Sequence, residues 1–263
     1  MSSKAPQPTA PSTTAVTAKE IKILMLHGYT QSGSLFQAKT RGLEKLLAKT
    51  LSPMSIRLFY PTAPNRVLPS DLHSYTPPDD PAAASPEFLP DSWAWWRKDD
   101  ATGSYRLLPA GMATIAQAIR AAGGIDAVVG FSQGACLALT VAAALEPDRP
   151  IPPGQDADWA RSLREANNGA PLSFAVAYSG FAASPKNLAW LYDPIIQTPT
   201  LHYIGSLDSV VDPDRTRAAV ERCRDAVVLV HPGGHFVPVS REWVMGLAGF
   251  IKQHVEGEPK AGL

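Results

Sequence analysis

The sequence predicts an α/β fold with a mostly parallel sheet of about six strands and helices on both faces. From Ile21 onward, a short apolar run, a turn that contains Gly and a stretch of helical periodicity follow one another repeatedly. Several apolar runs are hydrophobic on consecutive residues, which is typical of strands covered on both faces. The loops that follow such strands meet at one edge of the sheet, where sites in these folds usually lie.

Six strands and five helices account for this alternation. The candidate strands are 21–26, 55–60, 125–129, 172–178, 200–204 and 226–231. The candidate helices are 35–49, 109–122, 133–145, 213–223 and 241–254. Asp212 precedes Pro213, and an acceptor side chain before a Pro at the first helical position is typical of a helix N-cap.

We expect one domain over residues 21–255, between a disordered N-terminal tail (1–20) and a C-terminal tail (256–263). The first 19 residues are rich in Pro, Ser, Thr and Ala and lack the apolar core of a signal peptide. Two Pro-rich excursions, 61–90 and 147–171, interrupt the alternation. Such loops are usually functional or disordered, and the sequence leaves open whether either acts as a lid.

Composition argues against several classes of function. The 263 residues carry 24 Lys+Arg and 24 Asp+Glu, so the formal net charge is zero. The sequence contains no run of four consecutive basic residues, which argues against nucleic acid as a partner. No window approaches the roughly 18 apolar residues of a membrane-spanning helix. The 2 Cys, Cys136 and Cys223, form neither a disulfide framework nor a metal-ligand pattern. We therefore expect a cytoplasmic protein that needs no metal or organic cofactor.

The pentapeptide Gly130-Phe131-Ser132-Gln133-Gly134 has the form G-x-S-x-G and lies between a candidate strand and a candidate helix. This is the setting of a nucleophile elbow, in which a strained turn exposes a Ser hydroxyl above the sheet. The flanking glycines would remove collisions with the neighbouring strand and helix. Ser132 is therefore the candidate nucleophile, and the alternative is an ordinary Ser in a Gly-rich turn.

A Ser nucleophile needs a base and an acid, which folds of this kind supply downstream in the order Ser, acid, His. Asp208 follows the strand 200–204, and His235 follows the last strand in a loop loosened by two glycines. Among competing acids, Asp212 is better explained as a helix cap and Asp214 lies in the first helical turn. The alternative for His235 is a surface-loop His without a role.

An oxyanion hole requires two N–H donors that converge on the reacting carbonyl. The residue after the nucleophile, Gln133, supplies one at the start of a helix. The loop after the first strand supplies the second, for which Tyr29 is the first candidate and Thr30 the next. That loop is also compatible with a turn that caps the helix beginning near Ser34. Convergence of the donors requires the first strand and the Ser strand to be neighbours.

Three of the 6 Trp lie within four positions, at Trp93, Trp95 and Trp96. Core packing is one explanation. The other is that Trp95 and Trp96 form an apolar wall for an acyl chain beside the catalytic edge.

Five motifs occur in a fixed order: LHGYTQSG at 26–33, WAWW at 93–96, GFSQGA at 130–135, YIGSLD at 203–208 and HPGGH at 231–235. In this combination the chain resembles the family of serine hydrolases (FSH) within the α/β hydrolases. The resemblance implies the α/β-hydrolase fold and an esterase or thioesterase that uses Ser132, Asp208 and His235. The family includes fungal thioesterases that release polyketides, such as that of the lovastatin pathway, and yeast and animal carboxylesterases.

We therefore expect a serine hydrolase that cleaves small-molecule esters or thioesters with apolar, medium-chain acyl groups through an acyl-enzyme. One alternative is a thioesterase that releases a polyketide from a synthase carrier domain. An alternative of another class is a non-catalytic binding module on the same scaffold, which the complete Ser, Asp and His set argues against.

Overall fold

The computed structural model describes residues 20–71, 90–154 and 157–255. Nearly all of the N-terminal tail, all of the C-terminal tail and most of the excursion 61–90 lie outside these ranges. The predicted disorder of the tails and the division into a single domain therefore stay predictions.

A six-stranded sheet organises the described part of the chain. Its strands are β1 (Glu20–Leu26), β2 (Ser55–Phe59), β3 (Ala127–Phe131), β4 (Phe174–Tyr178), β5 (Thr200–Gly205) and β6 (Val227–His231). Every neighbouring pair is parallel, in the order β6-β5-β4-β3-β1-β2. β1 and β3 are neighbours, with Leu26 opposite Gly130, as convergence of two oxyanion donors requires.

Six α-helices cover the sheet: α1 (Gly33–Leu51), α2 (Leu108–Ala122), α3 (Gln133–Leu145), α4 (Asp158–Ala166), α5 (Pro213–Val220) and α6 (Arg241–Val255). Alternate strand residues belong to two apolar cores. One core also contains residues of α1 and α6, and the other contains residues of α2 to α5. All residues of α3 are buried, because this helix lies between the sheet and other helices. The predicted α/β architecture with helices on both faces is confirmed.

Two sequence-based boundaries are corrected. The Ser strand runs over 127–131 instead of 125–129, so the first Gly of the pentapeptide belongs to the strand. The excursion 147–171 contains α4, which buries Trp159, Ala160, Leu163 and Ala166 at helical spacing. Surrounding Pro residues concealed this short amphipathic helix from the sequence analysis.

The Trp-containing segment forms two short ladders that are separate from the six-stranded sheet. Trp93–Ala94 pairs with Asn65–Arg66, and Arg97–Lys98 pairs with Tyr105–Arg106, both antiparallel. Within the three described ranges, no helix combines the length and the apolar character needed to cross a membrane.

Candidate active site

Ser132 occupies a sharp turn between β3 and α3. Its backbone has φ 55° and ψ −115°, a strained conformation for a residue with a side chain. A Cβ on Gly130 would overlap the carbonyl of Gly134, and a Cβ on Gly134 would overlap the carbonyl of Leu26. Only glycine therefore permits strand and helix to approach closely enough to hold Ser132 in this turn, and this is the geometry of a nucleophile elbow.

Asp208 and His235 come together at the same edge of the sheet. His235 Nδ1 lies 2.8 Å from Asp208 Oδ2, while the other carboxylate oxygen accepts the N–H groups of Val210 and Val211 at 2.9 Å each. Burial raises the pKa of Asp208, but the hydrogen bonds from His235 and from the backbone outweigh it and leave the pKa below its ordinary value. A carboxylate held this way fixes the orientation of the imidazole.

Ring packing connects the Ser132 turn to the His235 loop. The ring of Phe131, which precedes Ser132, lies with its centroid 4.7 Å from that of His235. Gly28 brings the loop after β1 to the same point, because a Cβ on Gly28 would stand 3.4 Å from Ser132 Cβ. The elbow, the His–Asp pair and the predicted oxyanion loop thus surround one position.

The two predicted oxyanion donors carry free N–H groups. Across the described ranges, no hydrogen bond uses the backbone N–H of Tyr29 or of Gln133. The alternative donor, Thr30, is not available, because its N–H donates to the carbonyl of Trp93 at 2.9 Å. Gln133 N–H stands at the first position of α3, where the helix dipole favours negative charge.

A model of the serine hydrolase (FSH1) family matches residues 16–247 of this sequence. The chain belongs to this family of serine hydrolases. The Saccharomyces cerevisiae protein "Family of serine hydrolases 2" is 31% identical over 234 residues, covering 88% of this chain and 97% of that protein. "Esterase OVCA2" of Danio rerio is 27% identical over 248 residues, covering 90% of this chain and 99% of its own length.

Another relative, the Schizosaccharomyces pombe protein named "Dihydrofolate reductase", is 30% identical over 247 residues, which is 92% of this chain. The chain spans only 49% of the length of that relative.

Solved structures share the fold at lower identity. Zea mays acyl-protein thioesterase 2 superposes with a TM-score of 0.55 and 19% identity, covering 91% of this chain and 95% of its own. Esterase PE8 gives a TM-score of 0.54 and 20% identity, covering 89% and 93%. These likenesses confirm the predicted α/β-hydrolase fold.

Trp95 and Trp96 of this serine hydrolase are buried in the core and do not form the expected wall for an acyl chain. Trp95 is completely buried, and its indole Nε1–H donates to the carbonyl of His27 at 2.9 Å. Trp96 is 3% exposed and stacks on Tyr105 with a centroid distance of 4.6 Å. Both indoles are core residues, so the expected wall for an acyl chain is corrected to core packing.

The side chain of Gln133 secures this segment, a role the sequence analysis missed. Its Oε1 accepts the N–H of Trp95 at 2.8 Å, and its Nε2 donates to the carbonyl of Trp96 at 3.0 Å. The segment in turn pairs with the predicted oxyanion loop, since the N–H of Trp93 donates to the carbonyl of Gln31 at 3.1 Å. Gln133 therefore has a free backbone N–H, and its side chain holds the Trp segment that pairs with the loop of Tyr29. A polar residue beside the Ser of the pentapeptide was the available signal.

His27 is the second missed residue. Its Nε2 accepts the N–H of Ala63 at 3.0 Å, so Nδ1 carries the proton and lies 2.8 Å from the carbonyl of Gly28. Burial lowers the pKa of His27 to about 4, against smaller opposing effects of the Gly28 carbonyl and Asp91. This neutral imidazole fixes the backbone from which Tyr29 N–H projects.

A cavity of about 230 Å³ opens beside His235, between α1 and the loop after β6. Apolar side chains form most of its lining, and they are Phe36, Phe131, Phe236 and Val237. Phe36 and Phe131 are buried and stack with a centroid distance of 6.4 Å, while Phe236 is half-exposed. The serine hydrolase thus has an apolar recess next to its His–Asp pair.

The described residues contain no group of three or more His, Cys, Asp or Glu side chains placed to hold a metal ion. Both thiols are buried, and burial raises the pKa of Cys136 and of Cys223. Such thiols are poor nucleophiles, which leaves Ser132 as the candidate for covalent chemistry.

Proposed function

We propose that this chain is a serine esterase or thioesterase in which Ser132 is the nucleophile, His235 the general base and Asp208 the residue that orients the base. The observation that carries the proposal is the 2.8 Å contact between His235 Nδ1 and Asp208 Oδ2 at the edge where Ser132 stands on its strained turn. Relatives named as serine hydrolases and esterases support it.

The reaction follows from these positions. His235 Nε2 takes the Ser132 proton as Oγ attacks the carbonyl carbon, and the N–H groups of Tyr29 and Gln133 bind the oxyanion. The tetrahedral intermediate collapses, His235 returns the proton to the leaving alcohol or thiol, and an acyl-enzyme remains. Water activated by His235 then releases the carboxylic acid. Asp208 accepts the Nδ1–H throughout, which leaves Nε2 to exchange protons with Ser132, the leaving group and water.

Replacement of Ser132 tests this proposal. We expect Ser132→Ala to reduce turnover of p-nitrophenyl butyrate and of a butyryl thioester at least about a thousandfold, while the far-UV spectrum and melting temperature stay unchanged. Ser209→Ala is the matched control, because Ser209 is exposed beside Asp208 and has no assigned role. Equal activity of the two variants would remove Ser132 as nucleophile.

We further propose that the acyl chain occupies the cavity lined by Phe36, Phe131, Phe236 and Val237. A volume of about 230 Å³ is below the roughly 300–1,000 Å³ of pockets for drug-sized ligands, which favours a short or medium chain. Each buried methylene is worth about 0.8 kcal/mol, so kcat/KM should rise up to roughly fourfold per carbon until the cavity is filled.

A chain-length series of p-nitrophenyl esters checks this assignment. We expect Phe236→Ala to flatten the rise from acetyl to hexanoyl, whereas Val239→Ala, in the same loop but outside the cavity, should keep it. A wild-type optimum at acetyl would contradict the proposed medium-chain preference.

A further inference from the structure

The cavity beside His235 has polar as well as apolar residues in its lining. Besides His235, the lining includes the side chains of Gln31 and Lys39. Lys39 lies on the exposed side of α1, one turn after Phe36, which forms part of the cavity floor. An exposed lysine therefore lines an apolar recess beside the proposed base.

Gln31 offers this cavity a donor and not an acceptor. Its Oε1 accepts the N–H of Gly28 at 3.3 Å, within the loop that carries the oxyanion donor Tyr29. No hydrogen bond from Gln31 Nε2 occurs within the described ranges, although the residue is only 9% exposed. The amide N–H groups are thus left for a ligand.

Lys39 is also uncommitted. It forms no ion pair with any residue that the structure describes, and its neighbours one turn away on α1 are Leu35, Phe36, Gly42 and Leu43, all without charge. A flexible lysine can lay its methylenes along apolar surface while its ammonium remains at the rim. Gln31 and Lys39 together present hydrogen-bond donors and one positive charge, with no fixed acceptor of their own.

We propose that this cavity selects acyl chains that end in a carboxylate, so that the substrates are half-esters or half-thioesters of short dicarboxylic acids. The inference rests on the proposed function and specifies its substrate class. The methylenes of the acyl chain contact Phe36 and Phe131, and the distal carboxylate reaches Lys39 and the amide of Gln31. We assign the anion to the acyl side, because Lys39 and Gln31 line the same cavity as the rings proposed to contact the acyl chain.

The test compares mono-p-nitrophenyl glutarate with p-nitrophenyl valerate, which have acyl chains of equal carbon number and differ in the terminal charge. We expect wild type to prefer the glutarate ester, and Lys39→Gln to lower the glutarate-to-valerate ratio of kcat/KM by up to about fivefold, as for a solvent-exposed ion pair. Lys39→Arg should restore the ratio, and added salt should reduce it in wild type.

Lys45→Gln is the matched control, because it removes the same charge from the exposed side of α1 outside this cavity. A ratio unchanged in Lys39→Gln, or lowered equally in Lys45→Gln, overturns the inference while the esterase proposal stands. If Lys39→Gln lowered kcat/KM only for butyryl-coenzyme A and not for butyryl-N-acetylcysteamine, Lys39 would bind an anion of the leaving group, and the inference would also be overturned. If wild type hydrolysed neither of the two p-nitrophenyl esters, the proposed function itself would be overturned.

Discussion

The two oxygens of Asp208 have separate tasks, and this distinguishes Asp208 from the nearby carboxylates. One oxygen faces His235 Nδ1, and the other accepts two backbone N–H groups from its own loop. Asp212, four residues later, accepts the N–H of Asp214 at 2.8 Å and caps α5, as its place before Pro213 predicts. The first arrangement is suited to orienting a base and the second to starting a helix.

Substitution of these two aspartates should therefore give different phenotypes. We expect Asp208→Asn to lower kcat by a factor of up to about 10⁴, because the amide no longer favours the tautomer in which Nδ1 carries the proton. Asp212→Ala should cost about 0.5–2 kcal/mol of unfolding free energy and leave kcat nearly unchanged. Ester turnover and urea unfolding of both variants check this, and exchanged phenotypes would show the acid assignment to be wrong.

At the scale of elements, periodicity in the sequence predicts the sheet well. All six predicted strands occur, because consecutive apolar residues between turn signals are characteristic of strands covered on both faces. β3 begins two residues later than predicted. The N–H of Ile125 donates to the side chain of Asn167, and the N–H of Asp126 donates to the carbonyl of Lys22, so both residues lie outside the ladder. Apolar character alone does not reveal such capping contacts.

The role of the Trp segment could not be predicted from the sequence, for a physical reason. A cluster of indoles predicts apolar contact, but whether that contact is with ligand or with core depends on which residues lie opposite. Here His27 lies against Trp95, with ring centroids 4.9 Å apart, and Gln133 bonds the backbone of the segment. The Ser, Asp and His candidates could be named from the sequence because each follows a predicted strand in the order Ser, acid, His, and their catalytic roles stay predictions.

A buried ion pair joins the start of the excursion 147–171 to the loop that precedes β5. Arg149 and Glu146 are both buried, with Arg149 Nη2 2.5 Å from Glu146 Oε2. Glu146 Oε1 also accepts the N–H of Thr198, and Arg149 Nη1 donates to the carbonyl of Pro194 at 2.6 Å. The pair therefore connects the start of the excursion to the segment that leads into β5.

Removal of the arginine should be costly, because it leaves the Glu146 carboxylate buried without its counter-charge. We expect Arg149→Met to lower the unfolding free energy by about 3–5 kcal/mol. Arg161→Met is the matched control, since Arg161 pairs with Asp158 on an exposed face of α4, and it should cost at most about 1 kcal/mol. Urea unfolding measures both losses, and similar values would contradict the structural role of the buried pair.

For the whole molecule, two fully buried histidines make stability depend on pH. Burial lowers the pKa of His27 and that of His202 to about 4, compared with 6.5 in an exposed chain. Between these values the unfolded chain binds protons that the folded protein excludes, so the unfolding free energy falls as pH decreases. Above pH 7 both states are neutral at these positions and the effect vanishes.

We expect each of these histidines to contribute a loss of roughly 2 kcal/mol between pH 7 and pH 5. His202 is the one to replace, because it lies within β5 and not in the proposed oxyanion loop. His202→Gln should therefore lose less stability than wild type over this range, by roughly 2 kcal/mol, in urea titrations at the two pH values. Parallel pH dependence in the two proteins would contradict the proposed burial of a neutral imidazole at this position.

The proposed role of Ser132 as nucleophile is central to the function of this serine hydrolase, and covalent labelling tests it most directly. The native protein is treated with a fluorophosphonate, and the modified residue is located by tandem mass spectrometry of the peptides. An activated hydroxyl at the elbow predicts one adduct, on Ser132, that does not form when the protein is first unfolded in urea. A native protein that remains unlabelled, or an adduct on any other residue, would contradict the account.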